Sequence, residues 1–388
     1  MNEIKKELIN SAKEKYFNEL KRVKLEFKPS KEIDGYGAGS IVGEKNYPLL
    51  NIYNVSNPEK KSCFLNDYNT VKKDYDHIIK LKVQNIFSSN NSIHIKKIND
   101  NISKNIVDIY KSKNPVNFTS EFEKEIEFKK INISKFFGIL GGENNIKSIT
   151  LNQNSKTSKQ IEKFTENDIK SKDAMISLYK KGINESQIIN LLALGQFGVG
   201  FNRKLVPSKW ANTAYDKNIS DFLYDNVIRN KFIENIEFFD FSDKGNHFFI
   251  FLFPNEYCFE NIEMINKNKS ILIDFNNFQN KLIGKTDPDT AGGFFATKLA
   301  ILEYLNFKQK QASIVSIRLI DNYEIPLGVI FIRECIRSAM KINKKKFVNI
   351  EELFLYLKNE NNSIFDILSK SCAIKNMKSQ KRITEYIR

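Results

Sequence analysis

Very little in this chain of 388 residues belongs to the common inventory of metal and nucleophile chemistry. Its four cysteines, Cys63, Cys258, Cys335 and Cys372, lie far apart. No C-x-x-C pair encodes a zinc ribbon, and no disulfide framework is implied. The three histidines, His77, His94 and His247, are equally scattered, and without a His-x-x-x-His spacing a zinc site has no ligands to start from. No metal site is expected on these grounds. Long apolar runs are missing too. The most apolar stretch, residues 248–253, stops at Pro254, far short of the roughly 20 residues a membrane-crossing helix needs. The first 16 residues are charged and amphipathic, unlike a signal peptide. A cytoplasmic protein with no membrane partner is therefore expected. Gly292-Gly293 precedes a helical stretch but fits neither the Walker nor the dinucleotide pattern, so no nucleotide cofactor is evident.

What is present points to a packed, basic protein. Hydrophobic residues make up 41% of the chain and include 31 phenylalanines, enough for a core, so the disordered class is excluded. Lysine and arginine total 61 against 46 acidic residues, a formal charge of +15. Such a surplus favours a polyanionic partner, nucleic acid first, although a Lys-, Asn- and Ile-rich composition also yields solvated surface lysines with no partner. Periodicity predicts a helix over 3–22, a hairpin from 41–43 to 47–53, helices over 67–88 and 101–112, and a strand over 116–128. A glycine-rich break at 138–142 then leads into a polar stretch reaching about residue 160. Thr165 and Asp168 have capping-box spacing for a helix that Gly182 ends, and Ile188, Leu191 and Leu192 build the next. Beyond a helix at 217–230, strands at 235–241 and 246–253 flank the turn Asp243-Lys244-Gly245-Asn246. The second strand is apolar on both faces and belongs in the middle of a covered sheet. A strand at 270–275, a helix at 294–305, a strand at 311–319 and helices near 328–341, 349–358 and 362–369 follow. The irregular alternation predicts an α+β fold: a mixed β-sheet with helices packed on it, in two interlocked regions.

Three clusters carry candidate chemistry. The first is Asn202-Arg203-Lys204-Leu205-Val206-Pro207-Ser208-Lys209-Trp210, with Thr213 and Asp216 beyond it. Arg203, Lys204 and Lys209 suit phosphates, and Trp210, the one tryptophan, suits stacking on a base; the alternative is a core anchor flanked by cations. The second spans 287–341 and holds Lys298, Glu303, Lys308, Arg318, Arg333, Glu334 and Arg337. Arg333 and Arg337 are four apart and share a helical face, which fits phosphate binding by two forks or, equally, a buried network closed by Glu303, Glu334 or Asp216. Arg318 joins them as a candidate nucleic-acid contact. Were the body an enzyme, Asp216 and Glu303 would be the first carboxylates to test for Mg²⁺-dependent phosphoester cleavage; no spacing requires that ion. The third is the C-terminal Gln380-Lys381-Arg382-Ile383-Thr384-Glu385-Tyr386-Ile387-Arg388. Its form, Q-x-x-I-x-x-Y-I, resembles the PCNA-interacting peptide that docks on the sliding clamp. One helical turn gathers Ile383, Tyr386 and Ile387 into an apolar plug, and Gln380 adds a directed hydrogen bond.

Taken in order, these segments resemble the archaeal Nre family of DNA repair proteins. The resemblance is carried by Ile41-Val42-Gly43 with Tyr47-Pro48, by Pro115-Val116, and by Ala174, Leu178-Tyr179 and Gly182. Most specific is Arg203-Lys204-Leu205-Val206-Pro207-Ser208-Lys209-Trp210 with Thr213-Ala214 and Asp216, where the family typically reads R-K-L-V-P-T-R-W-S-I-T-A-V-D. Ala291-Gly292-Gly293-Phe294, Leu302-Glu303-Tyr304-Leu305, Gln311-Ala312 and Gly328-Val329 with Arg333-Glu334 and Arg337 continue it. The resemblance implies an N-terminal region over 1–275, a C-terminal region over 276–370 and a tail over 371–388, with a role in DNA repair and DNA and the sliding clamp as partners. It transfers no catalytic residue. Many members open with a Cys-rich segment that this chain lacks, so its function is expected to be absent or supplied elsewhere. Ser208-Lys209 replaces Thr-Arg, which keeps hydroxyl and charge but loses a guanidinium fork.

Overall fold

Small and apolar side chains along Glu32–Val42 make a long strand, β1, that two different partners share. Its first half pairs with β4 (Asn117–Phe122) and its second with β2 (Leu49–Asn57), both antiparallel. This arrangement comes from a computed structural model describing residues 30–57, 85–97, 100–126, 132–134, 138–140, 143–152, 157–267, 270–279, 291–321 and 328–379, with Glu14, Phe17, Asn18 and Lys21 near the start. The chain forms two compact units, Met1–Ile219 with Glu324–Phe331, and Ser220–Tyr323 with Ile332–Arg388.

In the first unit β2 pairs with β3 (Ile86–His94), β3 runs parallel to β5 (Glu143–Leu151), and β5 pairs with β4, closing a barrel in the order β1-β2-β3-β5-β4. Period-two alternation along β2 buries Leu50, Ile52 and Asn54 and leaves Leu49, Asn51 and Tyr53 more exposed. Helix α1 (Asn101–Lys111) connects β3 to β4. Asp100 caps it, accepting from the Ser103 N–H at 2.9 Å. The apolar face of α1 closes on the barrel at Gly37, where an added Cβ would lie 2.6 Å from Ile109 Cγ2. Only glycine fits there, and the register shift between Gly37 and Gly39 bends the strand at that point. Burial drives the Tyr110 hydroxyl pKa upward, while that hydroxyl accepts from the Gly39 N–H at 3.1 Å and donates to Asn54 Oδ1 at 3.1 Å. Helices α2 (Lys159–Glu166), α3 (Ser171–Lys180) and α4 (Glu185–Ala193) follow, and α5 (Ser208–Val227) leads into the second unit.

The second unit is built on a six-stranded mixed sheet. It contains β6 (Ile236–Asp243), β7 (Asn246–Phe253), β8 (Phe259–Lys267), β9 (Ser270–Gln279), β10 (Ser313–Ile320) and β11 (Lys345–Phe347), in the order β9-β8-β10-β7-β6-β11. Only β8 and β10 are parallel, and α6 (Ala291–Lys308) lies in the connection that leads to β10. The phenylalanine-rich β7 sits between β10 and β6 with residues 248–253 buried, as its two apolar faces predict. Helix α7 (Val329–Ala339) precedes β11. Leu353 and Leu357 of α8 (Ile350–Glu360), Ile364 and Leu368 of α9 (Asn362–Ser369), and Ala373 and Ile374 of α10 (Cys372–Ser379) pack with Phe238, Phe251, Ile262 and Val315 in one core. The buried Glu260 carboxylate accepts from the Cys372 and Ala373 N–H groups at 3.1 and 2.8 Å, placing negative charge at the positive end of α10.

The fold is α+β, as the element pattern predicts. Three local expectations change. Thr165 sits in the last turn of α2, its Oγ1 donating to the Glu162 carbonyl, and α3 starts at Ser171, so the apparent capping box closes a helix instead of opening one. Residues 86–88, placed in a helix by periodicity, belong to strand β3. The polar stretch after 142 supplies strand β5. Most of 3–22 and most of 67–88 lie outside the described residues; Glu14, Phe17, Asn18 and Lys21, within the first of these, are helical. Among the described residues no helix is long and apolar enough to cross a membrane. Gly37→Val is expected to lower the unfolding free energy by about 1–3 kcal/mol, the cost of overpacking, in urea denaturation. Gly43→Ala, whose Cβ meets nothing nearer than 3.6 Å, serves as a near-neutral comparison.

Candidate nucleic-acid interface

The cation-rich run predicted to matter is laid down by backbone bonds on both sides. Leu205 N–H donates to the Ile95 carbonyl and Val206 N–H to the Ala193 carbonyl, each at 2.9 Å, so this part of the run lies extended between the residue after β3 and the end of α4. Ser208 then opens α5 and its Oγ accepts from the Val42 N–H at 2.8 Å, at the end of β1. The hydroxyl at this position is thus a structural tie.

Arg203 is a tie of another kind. Its Nε donates to the Gly198 carbonyl at 3.1 Å, Nη1 donates to the Thr165 carbonyl and Nη2 to the Asn167 carbonyl. Asp168 Oδ1 lies 3.6 Å from Nη2 and also accepts from the Gly200 N–H at 3.1 Å. The planar fork therefore joins the α2–α3 connection to the short 3-10 turn Gly200–Asn202, matching several carbonyls at once in a way an ammonium cannot. Gly198 and Gly200, at φ +134° and +48°, supply backbone conformations that side chains resist.

On this pinned scaffold the remaining polar and aromatic side chains face outward. Lys204 and Lys209 are exposed, the latter 3.5 Å from Glu44 Oε2 in a solvent-facing pair. Trp210 is 49% exposed and Tyr47, in the β1–β2 turn, 46%; their ring centroids are 6.0 Å apart at a 41° tilt. Phe201, on the turn that Arg203 holds, is 93% exposed. Lys45 lies in the same β1–β2 turn, and Lys96 and Lys97 follow Ile95, whose N–H donates to the Pro48 carbonyl at 3.0 Å; all three lysines are exposed. Sequence reasoning gave Tyr47 a place in a hairpin and in the family resemblance but no contact role, and it passed over Phe201. The position of Phe201 directly after Gly200 was the available signal.

The arginines of the second unit have a different setting. Arg318 donates through Nε and Nη2 to Asn246 Oδ1 at 3.0 and 2.7 Å, and its Nη1 lies 3.5 Å from Glu263 Oε1. Arg333 is 1% exposed, a core residue. Arg337 presents its fork to Glu303, Nε to Oε2 and Nη2 to Oε1 at 2.8 Å each, and its Nη1 to Glu334 Oε1 at 2.6 Å. It lines an open cavity of about 720 Å³ with Tyr304, Phe307, Lys308 and Lys344. The helical spacing of Arg333 and Arg337 thus leads into an ion-pair network and the core. Glu303 lines the same cavity with both its oxygens engaged by Arg337, and Asp216 is fully buried. Among the described residues no three His, Cys, Asp or Glu side chains gather to hold a metal ion. Burial pushes the Cys258 thiol up to about 11, against a 2.7 Å hydrogen bond with Ser313 Oγ, the opposite of an activated nucleophile. Gln380, Ile383, Tyr386 and Ile387 lie outside the described residues, which end with α10 at Ser379.

Arg203→Lys keeps the charge and loses the fork. It is expected to lower the unfolding free energy by about 1–2 kcal/mol and to speed amide hydrogen exchange at Gly198 and Gly200. Exchange unchanged at those amides would show that the clamp is not what holds the turn.

Comparison with known proteins bears on both units. The model of the archaeal Nre N-terminal region matches residues 14–271, and that of the archaeal Nre C-terminal region matches 281–386. The chain is 30% identical over 213 residues to the DNA repair protein NreA of Archaeoglobus fulgidus, covering 53% of this chain and 54% of that protein. It is 27% identical over 241 residues to NreB of the same organism, covering 59% and 60%. It is 30% identical over 209 residues to NreA of Haloferax volcanii, covering 50% and 49%. The chain thus spans about half the length of the curated relatives it matches. No solved structure matches it. With both regional models matched in order over most of its length, the chain belongs to the archaeal Nre family.

Proposed function

We propose that this protein is a cytoplasmic DNA repair factor that holds DNA on the surface built around residues 203–210 and docks on the sliding clamp through its last nine residues. The relatives named as DNA repair proteins supply the biological setting. The observation that carries the DNA reading is the division of labour along the run: Arg203 and Ser208 pin it, while Lys204, Lys209 and Trp210 are turned outward. Exposed ammonium groups meet phosphates without having to leave a buried partner, and the +15 charge of the chain draws a polyanion to them. Lys204, Lys209 and Trp210 make the contacts and Arg203 positions them. Arg318, Arg333 and Arg337 support the second unit.

The clamp reading rests on Gln380, Ile383, Tyr386 and Ile387, which follow directly on α10, the helix seated by Glu260. A tail that docks on the clamp raises the local concentration of the body at DNA without adding a contact to it. In this reading residues 1–275 and 276–370 are the two family regions; of the tail over 371–388, α10 belongs to the packed second unit and 380–388 is the tether.

Removing residues 380–388 is expected to abolish binding to purified PCNA in surface plasmon resonance and to leave DNA affinity unchanged. Clamp binding that persists would sink the tail assignment. Lys204→Glu combined with Lys209→Glu is expected to weaken DNA binding and to reduce the slope of log affinity against log salt by about 2. A slope that stays put would place the DNA elsewhere.

A further inference from the structure

We infer that the barrel of the first unit is a single-strand binder, with bases stacking on Tyr47 and Trp210 at its β1–β2 rim and on Phe201 in the turn that leads into the 203–210 run. The inference rests on the reading that DNA binds this surface, and adds which form of DNA the surface selects.

Topology is the first support. A closed five-stranded barrel in the order β1-β2-β3-β5-β4, with β3 and β5 parallel and a helix between β3 and β4, is the connectivity of the OB barrel. The details agree as well: β1 is shared between β4 and β2 and bends at the Gly37–Gly39 bulge, and α1 packs against it through Ile109 and Tyr110. In such barrels oligonucleotides cross the β2–β3 face and the loop joining β1 to β2. Topology alone names no ligand.

The residues at that location do. The β1–β2 loop carries Lys45 and Tyr47, and β3 runs out into Lys96 and Lys97. The 203–210 run is tied to the same rim by the Val42–Ser208 and Ile95–Leu205 hydrogen bonds, which bring Lys204, Lys209 and Trp210 there. Lys45, Lys96, Lys97, Lys204 and Lys209 stand against Glu44, so the rim is complementary to a phosphate backbone. The β2–β3 face adds polar groups beside it: Asn51, which accepts from the Ser92 N–H at 3.0 Å, and the exposed Asn91.

Why a single strand follows from the rings. An exposed aromatic face gains from a nucleic acid only by stacking on an unpaired base, because a duplex keeps its base faces covered by their neighbours. Lysines alone would serve a duplex as well as a strand. Tyr47 and Trp210 are inclined to each other at 41° with centroids 6.0 Å apart, so they are not closed face to face. Phe201 stands almost wholly in solvent on a turn that the Arg203 clamp holds.

The test uses the full chain and a 20-nucleotide oligothymidylate, the same length of mixed sequence, and that mixed sequence as a duplex. Trp210 is the sole tryptophan, so its fluorescence reports contact directly. Quenching by the single strands is expected, with at least tenfold tighter binding than to the duplex in anisotropy titrations. Trp210→Ala and Phe201→Ala, both at exposed positions, are each expected to weaken single-strand binding by about tenfold and to leave duplex binding within twofold. Phe307→Ala, an equally exposed ring in the second unit, is expected to change neither. Melting temperatures confirm that the variants remain folded. Equal affinity for strand and duplex, or ring variants without effect, overturns the single-strand assignment while leaving DNA binding intact. Absence of binding to any of the three DNAs overturns the DNA reading itself.

Discussion

The surface proposed to hold DNA depends on one guanidinium. Arg203 sends donors to the carbonyls of Gly198, Thr165 and Asn167 and lies beside Asp168, fixing a turn that is entered through glycine conformations at Gly198 and Gly200. A lysine at that position would keep the charge but could not span several carbonyls in one plane. With the turn fixed, the chain leaves it extended and is caught again at Ile95, Ala193 and Val42, so Lys204, Lys209 and Trp210 have nowhere to point but outward. The exposure of those three side chains is a consequence of how firmly their neighbours are held.

The same logic explains what could and could not be seen in the sequence. Strand β7 was legible because a strand apolar on both faces has only one stable place, inside a sheet. Gly182, at φ +71°, closed α3 where glycine is expected to. The barrel was not legible. Asn90, Asn91, Asn144, Lys147 and Ser148 dominate β3 and β5, and the register shifts where β3 meets β2 and β5 meets β4 break the alternation in these two strands. Closure, moreover, depends on Phe87–Ser89 meeting Glu143–Asn145, a pairing no local window contains. In the site, composition singled out the 203–210 run but could not tell Arg203 from Lys204. The two are consecutive and equally charged, and what separates them is a set of carbonyls more than thirty residues upstream.

Arginine and lysine are used differently across the molecule. Arg318 is held by Asn246 and Glu263, and Arg337 by Glu303 and Glu334, within the second unit. Such networks carry a large desolvation cost, which the carboxylates and amide offset, and removing one partner leaves a charge stranded. Their worth lies in fixing how α6, α7 and the sheet meet, because a fork accepts few geometries. Spacing along α7 puts Arg333 and Arg337 on one helical face, yet Arg333 lies in the core and Arg337 meets the Glu303 and Glu334 carboxylates at the wall of the cavity.

It follows that the field outside the protein is carried mainly by lysines. An ammonium on a four-carbon stem is strongly hydrated and mobile, and it holds a phosphate as a point charge without reading its orientation. A rim of lysines would therefore recognise a nucleic-acid backbone in general and no particular base sequence. On the proposed reading, discrimination has to come from groups with shape, and the exposed rings of Tyr47, Trp210 and Phe201 are the groups with faces to offer an exposed base. A surface of this kind would distinguish states of DNA, paired against unpaired, better than it distinguishes sequences. That is the selectivity the proposed role in repair calls for when damage can fall anywhere, and it would leave the choice of where to act to whatever brings the body to the DNA.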